Sequence, residues 1–312
     1  MKPVSRSIMN TKVELPKKVD LDDLLQKLRV LSWGAADILK AYAKGEKPPY
    51  GFPQALNVQE GGDGPVSAAD LAVNSWLING LNSNFPLVSW TVVSEETAKE
   101  QIVKGVPIED EWIWILDPLD GTKDFLQKTG EYAVHLALVK SNEPILGVVL
   151  IPELEELWIG LIGSGSWCED RLGNKKPFSF SDRDQISEMI LVSSRNHRDG
   201  ILEDLLERIP FAEKKAVGSI GCKIAKILKG EADFYLSLSG KSAPKDWDIA
   251  APEIILKAAG GKFTHANNKA ISYNTGDINQ WGCIVASHGR HHEELCKTIQ
   301  YELLTIDQNI LL

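Results

Sequence analysis

The run Trp112-Ile113-Trp114-Ile115-Leu116 constrains this chain more than any other stretch. Five large apolar residues in succession leave no face for water, which predicts a strand covered on both sides. The plain reading is a sheet covered by helices. The run stops at once in Asp117-Pro118-Leu119-Asp120-Gly121-Thr122, so two carboxylates emerge from the driest part of the chain. Pro118 biases Asp117 toward extended backbone and stiffens the turn. Such a turn can aim both carboxylates, and the Leu119 carbonyl between them, at one point, an arrangement of oxygens that suits a hard cation such as magnesium. Gly121 permits close approach to the backbone, and Gly121 and Thr122 would open a helix whose N–H groups suit a phosphate. In isolation, an ordinary turn plus an ordinary cap explains the segment about as well.

Four further segments bear on that choice. Ser94-Glu95-Glu96-Thr97 follows a second apolar strand, Val88–Val93, and again puts carboxylates at a strand end. Pro65-Val66-Ser67-Ala68-Ala69-Asp70 and Trp247-Asp248-Ile249 each put an acid at the start of a helix. Helix capping accounts for each of these on its own. Ser193-Ser194-Arg195-Asn196-His197 follows a strand and offers cationic and hydrogen-bonding groups for an anion.

At 312 residues the chain exceeds the usual single-core limit. Two lobes are expected, residues 1–180 and 181–312, divided near the polar stretch Ser179–Ser187. A net charge of −9 argues against nucleic acid as a partner. No apolar run approaches the ~20 residues of a membrane span. The first twenty residues have no apolar core, unlike a secretory signal, and Glu14 weighs against an organelle-targeting peptide. Cys168, Cys222, Cys283 and Cys296 are far apart, which disfavours zinc and disulfides and favours the cytoplasm.

Periodicity predicts helices over Asp20–Ala43, about Asp70–Asn82, Gly200–Arg208, Ile220–Leu228 and from Asp248 to Gly260. Strands are expected at Tyr132–Val139, Ile145–Leu150, Leu157–Leu161, Met189–Ser193 and Asp233–Leu238, with the last element a strand near Cys283–Ala286. The Pro/Gly-rich stretch Glu46–Pro65 reads as a lid presenting Glu60 or Asp63, or as a disordered connection. His288, His291 and His292 read as solvated surface. The tryptophans read as core, with Trp247 beneath Asp248.

Together the five acid- and cation-bearing segments resemble the inositol monophosphatase superfamily, lithium-sensitive and magnesium-dependent phosphatases, over nearly the whole chain. The combination of DPxDGT with an upstream EE and a downstream WD is specific. The resemblance implies a layered αβαβα fold and two or three magnesium ions. Glu95, Asp117 and the Leu119 carbonyl would bind the first ion, and Asp117, Asp120 and Asp248 the second. Asp70 and Thr122 would orient and deprotonate the attacking water, Gly121 and Thr122 would bind phosphate, and Glu96 would brace the ligands from behind.

Within the superfamily, Asp120-Gly121-Thr122-Lys123-Asp124-Phe125 is similar to the DGTKEF of the 3′(2′),5′-bisphosphate nucleotidases, with Asp124 in place of Glu. Ser194-Arg195-Asn196-His197 is similar to their SRSH except at the third position. Lys223 falls where that branch carries a lysine, although Ser219 is one residue off the commoner spacing. The resemblance thus implies removal of the 3′-phosphate of adenosine 3′,5′-bisphosphate, with Ser194, Arg195, His197 and Lys223 meeting the substrate, in a monomer or homodimer. A solvent-facing Lys223 and a surface ion pair at Arg195 are the bland alternatives. An inositol or sugar phosphate phosphatase, or a nucleotide sensor that has lost catalysis, are the competing functions.

Overall fold

The computed structural model describes residues 13–60, 64–195 and 200–307. Helix α1 (Leu21–Lys44) begins where Asp20 accepts the Asp23 N–H and ends where Gly45 takes a φ of 71°, the two signals its sequence carries. A short antiparallel pair, β1 (Val58–Glu60) and β2 (Pro65–Ser67), then leads into α2 (Ala68–Asn84). The stretch expected to be a lid or a disordered connection therefore contains half of a hairpin. Glu60 lies exposed on β1, and Asp63 lies outside the described residues.

Next come β3 (Thr91–Ser94), α3 (Ala98–Gln101), β4 (Trp112–Asp120), α4 (Thr122–Leu126), β5 (Ala133–Lys140), β6 (Glu143–Ile151), β7 (Glu156–Leu161), β8 (Gly165–Glu169) and β9 (Lys175–Lys176). These seven strands pair in chain order, antiparallel except for β3 beside β4. The rest of the chain forms β10 (Ile190–Ser194), α5 (Gly200–Arg208), β11 (Glu213–Val217), α6 (Ile220–Leu228), β12 (Phe234–Leu238), α7 (Asp246–Ala258), β13 (Lys262–His265), β14 (Cys283–Ser287) and α8 (His292–Ile306). Its five strands run in the order β11-β10-β12-β14-β13.

Burial resolves these elements into five layers. Trp112, Trp114 and Leu116 of β4 point to one face of the large sheet, where they join α1 and α2. Ile113 and Ile115 point to the other, where they join α6, α7 and the inner face of the small sheet, including Val192, Tyr235 and Ile284. Leu191, Phe234 and Val285 cover the outer face of the small sheet under α5 and α8. The doubly covered strand expected of the WIWIL run is observed, within the αβαβα arrangement.

Helix α7 can lie flat on the large sheet because Gly147 and Gly160 lack side chains. A Cβ on Gly160 would stand 2.5 Å from Ile255 Cα, and one on Gly147 would stand 2.8 Å from the Ala251 carbonyl oxygen. Both neighbours are backbone and cannot step aside.

Several expectations need correction. The chain does not end its regular structure at β14: α8 follows, with Leu295, Cys296, Ile299 and Leu303 buried at helical spacing. Strands β8, β9, β11 and β13 were not expected; β11 is mostly exposed, so its sequence lacks the apolar signal of a core strand. His288 and His292 are buried rather than solvated. His292 bridges Ser287 Oγ at 2.8 Å and Thr264 Oγ1 at 2.9 Å, and His288 lies 3.5 Å from Asp233. Only His291 keeps partial access to water, paired with Glu294. The four cysteines are buried thiols. No helix among the described residues is long and apolar enough to cross a membrane.

The contact between α7 and the sheet generates a prediction. Gly160→Ala must lift α7, and should lower stability in urea by about 1–3 kcal/mol, as overpacked cores do. Gly200→Ala, where an added Cβ meets nothing within 4 Å, should leave the midpoint unchanged. Equal midpoints for the two variants would refute this account of how α7 is seated.

Candidate active site

Asp117 and Asp120 are three residues apart, so in a regular strand they would face opposite sides. The pairing of β4 with β5 shows why they do not. Asp117 lies opposite His135 and Asp120 opposite Ala133, so three steps on β4 match two on β5. This β-bulge inserts the extra residue that returns Asp120 to the face of Asp117. That face looks toward α6, α7 and the small sheet. Leu119 turns the other way, into the core under α1 and α2. Gly121, at φ 90°, closes the turn, and a Cβ there would stand 3.1 Å from the Glu131 carbonyl oxygen.

Parallel pairing brings the next acid alongside. Because β3 runs parallel to β4 with Ser94 opposite Leu116, both strands end at the same edge, and the Glu95 N–H bonds the Leu116 carbonyl at 3.1 Å. Asp248 arrives on the first turn of α7. One carboxylate oxygen of Asp117, Asp120 and Asp248 lies within 4.8 Å of one on each of the others.

The aspartates of the site are each held by a backbone N–H group. Asp248 Oδ2 accepts the Lys245 N–H at 2.7 Å. Asp117 Oδ1 accepts from Leu119 N at 3.0 Å. Asp120 Oδ2 accepts from Ser219 Oγ at 2.6 Å and Ile220 N at 2.5 Å, at the start of α6. Asp70 Oδ2 accepts from the N–H and hydroxyl of Ser67 as a helix cap, while Oδ1 accepts from the Thr122 hydroxyl at 3.0 Å. The capping role that each helix-start acid suggested is therefore real, but it occupies only part of each carboxylate.

The crowding is visible in the proton affinities. Burial first, then Glu95, Asp120 and Asp248, hold the Asp117 pKa well above its ordinary value. Burial, then Asp248, Glu96 and Asp70, do the same to Glu95, with Lys245 opposing. Burial and Asp120 push Asp248 up to about 7, and burial raises Asp70 against the pull of its hydrogen bonds. Like charges packed this closely out of water need a counter-charge. An oxygen-rich, anionic donor set is what a hard divalent cation takes, so the residues present fit one.

Glu95, Asp117, Asp120 and Asp248 line a cavity of about 660 Å³ together with Leu119, Gly121, Thr122, Ser194, Arg195, Lys223 and Glu96. Lys223 is not solvent-facing. It is 1% exposed, donates to the Gly218 carbonyl, and sits 5.6 Å from the centre of the Tyr235 ring. Burial lowers its pKa against the pull of Asp120. Arg195 lines the cavity while binding Glu131 at 2.6 Å and pairing closely with Asp124. It thereby ties β10 to the segment after Gly121. His197 lies outside the described residues. Trp247 is buried against the cavity, as expected of a residue supporting Asp248.

Three lining or supporting residues escaped the sequence reading. Lys245 precedes α7 and opposes the charge of Glu95 and Asp248. His135 lies buried on β5 with Nε2 3.3 Å from Asp120 Oδ2, and burial lowers its pKa despite that neighbour. Its only sequence signal is a single histidine in an apolar strand, which more often marks core. Tyr235, under Lys223, looks like any core aromatic.

The inositol monophosphatase family model matches residues 20–303. The chain belongs to the inositol monophosphatase family. Among relatives in sequence, the 3′(2′),5′-bisphosphate nucleotidase CysQ of Salmonella typhimurium is 30% identical over 252 residues, covering 80% of this chain and 94% of that protein. The CysQ of Buchnera aphidicola is 33% identical over 212 residues, covering 67% and 74%. Among solved structures, the IMPase of Thermotoga maritima superposes with a TM-score of 0.71 at 23% identity, covering 92% of this chain and 100% of that one. That inositol monophosphatase shares the layered fold, and the chain is a phosphatase of that family.

The pKa shifts make a stability prediction for the metal-free protein. Asp248 holds its proton up to about pH 7 when folded, against an ordinary value of 3.8. Between those values the folded state binds more protons than the unfolded one, so this group's contribution to stability falls as pH rises. Asp248→Asn should therefore melt at a higher temperature than the parent at pH 8 in a chelator, with the gap closing as pH is lowered toward 4. A variant that melts lower at pH 8 would contradict the crowding described above.

Proposed function

We propose that this phosphatase is a magnesium-dependent 3′(2′),5′-bisphosphate nucleotidase that hydrolyses the 3′-phosphate of adenosine 3′,5′-bisphosphate in the cytoplasm. The observation that carries the reading is the convergence of Asp117, Asp120 and Asp248 in one cavity with the cationic side chains of Lys223 and Arg195. The similarity to CysQ enzymes supports the nucleotide branch. Glu95, Asp117, the Leu119 carbonyl, Asp120 and Asp248 would hold magnesium, with Glu96 bracing them. When bound, magnesium supplies the positive charge that stabilises a reacting phosphoryl group and acidifies water.

The chain's own residues supply the remaining chemistry. The Thr122 hydroxyl has two acceptors within reach, Asp70 Oδ1 at 3.0 Å and the Leu119 carbonyl at 3.1 Å. Donating to Asp70, Thr122 Oγ1 presents a lone pair to the attacking water, takes its proton, and passes its own to Asp70. Burial raises the proton affinity of Asp70, which suits it to that task. The water attacks phosphorus in line with the departing 3′-oxygen, and the N–H groups of Gly121 and Thr122 hold phosphoryl oxygens. Lys223, Ser194 and Arg195, all lining the cavity, would in this reading meet the second phosphate, with Arg195 anchored by Asp124 and Glu131. In this reading residues 1–180 and 181–312 act as two lobes, the second supplying Asp248 and these substrate contacts.

An inositol or sugar phosphate phosphatase would share the carboxylates and differ in what the cavity accepts. Phosphate release from adenosine 3′,5′-bisphosphate, inositol 1-phosphate and fructose 1,6-bisphosphate, each with and without magnesium, separates the readings. The nucleotide should be cleaved fastest and only with magnesium. Preference for either of the others overturns the substrate assignment, and binding without release from any of them points to a sensor.

Two kinds of variant test the assigned roles. Asp117→Asn and Asp120→Asn should each abolish phosphate release while circular dichroism shows an intact fold. Thr122→Ala should lower kcat by about 10²–10⁴ with a smaller change in KM, the range for lost proton-transfer catalysis. Near-normal turnover in any of the three removes that residue from the mechanism.

A further inference from the structure

All nine tryptophans lie among the described residues, and Trp281 alone is exposed, at 41%. An indole left in water forgoes the stabilisation that burial brings the others. Its position suggests why. Trp281 lines the same cavity as the carboxylates, whose lining also includes the apolar Leu238, Ala243, Pro244 and Ile278 and the polar Asp277 and Asn279. The cavity thus combines the carboxylates of Asp117, Asp120 and Asp248 with apolar lining residues that include an exposed indole.

The ring is also held in place. Its Nε1–H donates to Asp277 Oδ2 at 3.2 Å. Asp277 Oδ1 in turn accepts from the backbone and side-chain nitrogens of Asn279 at 2.9 and 2.7 Å. The next residue, Gly282, is pinned to the strand extension beside it, since Ser239 N bonds the Gly282 carbonyl at 2.9 Å and Gly282 N bonds Ser239 Oγ at 2.7 Å. With its N–H engaged by Asp277, the indole offers a ligand its π face. A platform fixed in advance loses little freedom when something stacks on it. An aromatic ligand of any base identity can use such a face.

We propose that Trp281 is the stacking platform for the substrate's nucleobase, which makes it the residue that separates nucleoside phosphates from sugar phosphates lacking a base. This rests on the nucleotidase reading above and deepens it, placing the phosphates at the carboxylates and the base on the Trp281 ring.

The test is calorimetric titration of the parent, Trp281→Ala and Trp281→Phe with adenosine 5′-monophosphate and with ribose 5-phosphate, in magnesium buffer. Stacking predicts about a tenfold loss of adenosine 5′-monophosphate affinity in Trp281→Ala, near-complete recovery in Trp281→Phe, and less than about a twofold change for ribose 5-phosphate. Unchanged adenosine 5′-monophosphate affinity, equal weakening of both ligands, or no binding of adenosine 5′-monophosphate to the parent each overturns the proposal. The nucleotidase reading fails separately, if the parent releases no phosphate from adenosine 3′,5′-bisphosphate, so the two results are distinguishable.

Discussion

The repulsion among Glu95, Asp117, Asp120 and Asp248 is the constraint around which this protein is organised. Burial and mutual proximity raise the proton affinity of Asp117, Glu95 and Asp248. Left alone, such groups would protonate or move apart. The three aspartates stay because each is fixed from behind, Asp120 by the start of α6, Asp248 by the backbone before α7, and Asp117 by the Leu119 N–H. Helix starts attract negative charge, so the anchoring groups also offset part of the repulsion they enforce. The remainder is a standing demand for a cation, which is why the same geometry that costs stability without metal can do chemistry with it.

The layers serve to bring those anchors together. One acid comes from each of two parallel strand ends, one from a bulge, and one from a helix of the buried middle layer. The middle layer is close to the sheet only because Gly147 and Gly160 leave room for α7. A misplacement of α7 by a side chain's width would carry Asp248 away from Asp117 and Asp120. The glycines lie far from the chemistry in the chain, and they act on it through the rigid body of one helix. Arg195 works in a similar way, joining the end of β10 to Asp124 and Glu131 near the Gly121 turn.

Much of this was legible from residues alone. The doubly buried β4 followed from five consecutive apolar side chains, and α1 from its Asp20 and Gly45 end signals. Helices 200–208 and 220–228 matched their predicted bounds, because their apolar spacing is strong and Ser219 marks the start of the second. The reading failed where the signal was weak or was passed over. Strand β11 presents exposed lysines, so periodicity could not find it. Helix α8 does carry a helical stripe, Leu295, Ile299 and Leu303, but the histidines around its start read as solvated surface. His288 and His292 are instead buried in hydrogen-bonded or charged company, a difference of environment that residue type does not encode.

The sequence by itself determined which groups could do the chemistry. The DPLDGT, EE and WD segments supply the acids, and their residue types and order carry the family resemblance. Only the tertiary structure decided that Asp117 and Asp120 share a face, because the bulge that corrects their odd spacing is a property of pairing with β5. It alone turned Lys223 from a possible surface lysine into a buried one, and made Trp281 part of the cavity. Local spacing fixes what a segment can present to its own neighbourhood. Which distant segments face each other depends on packing between layers, and no stretch of chain contains that information alone.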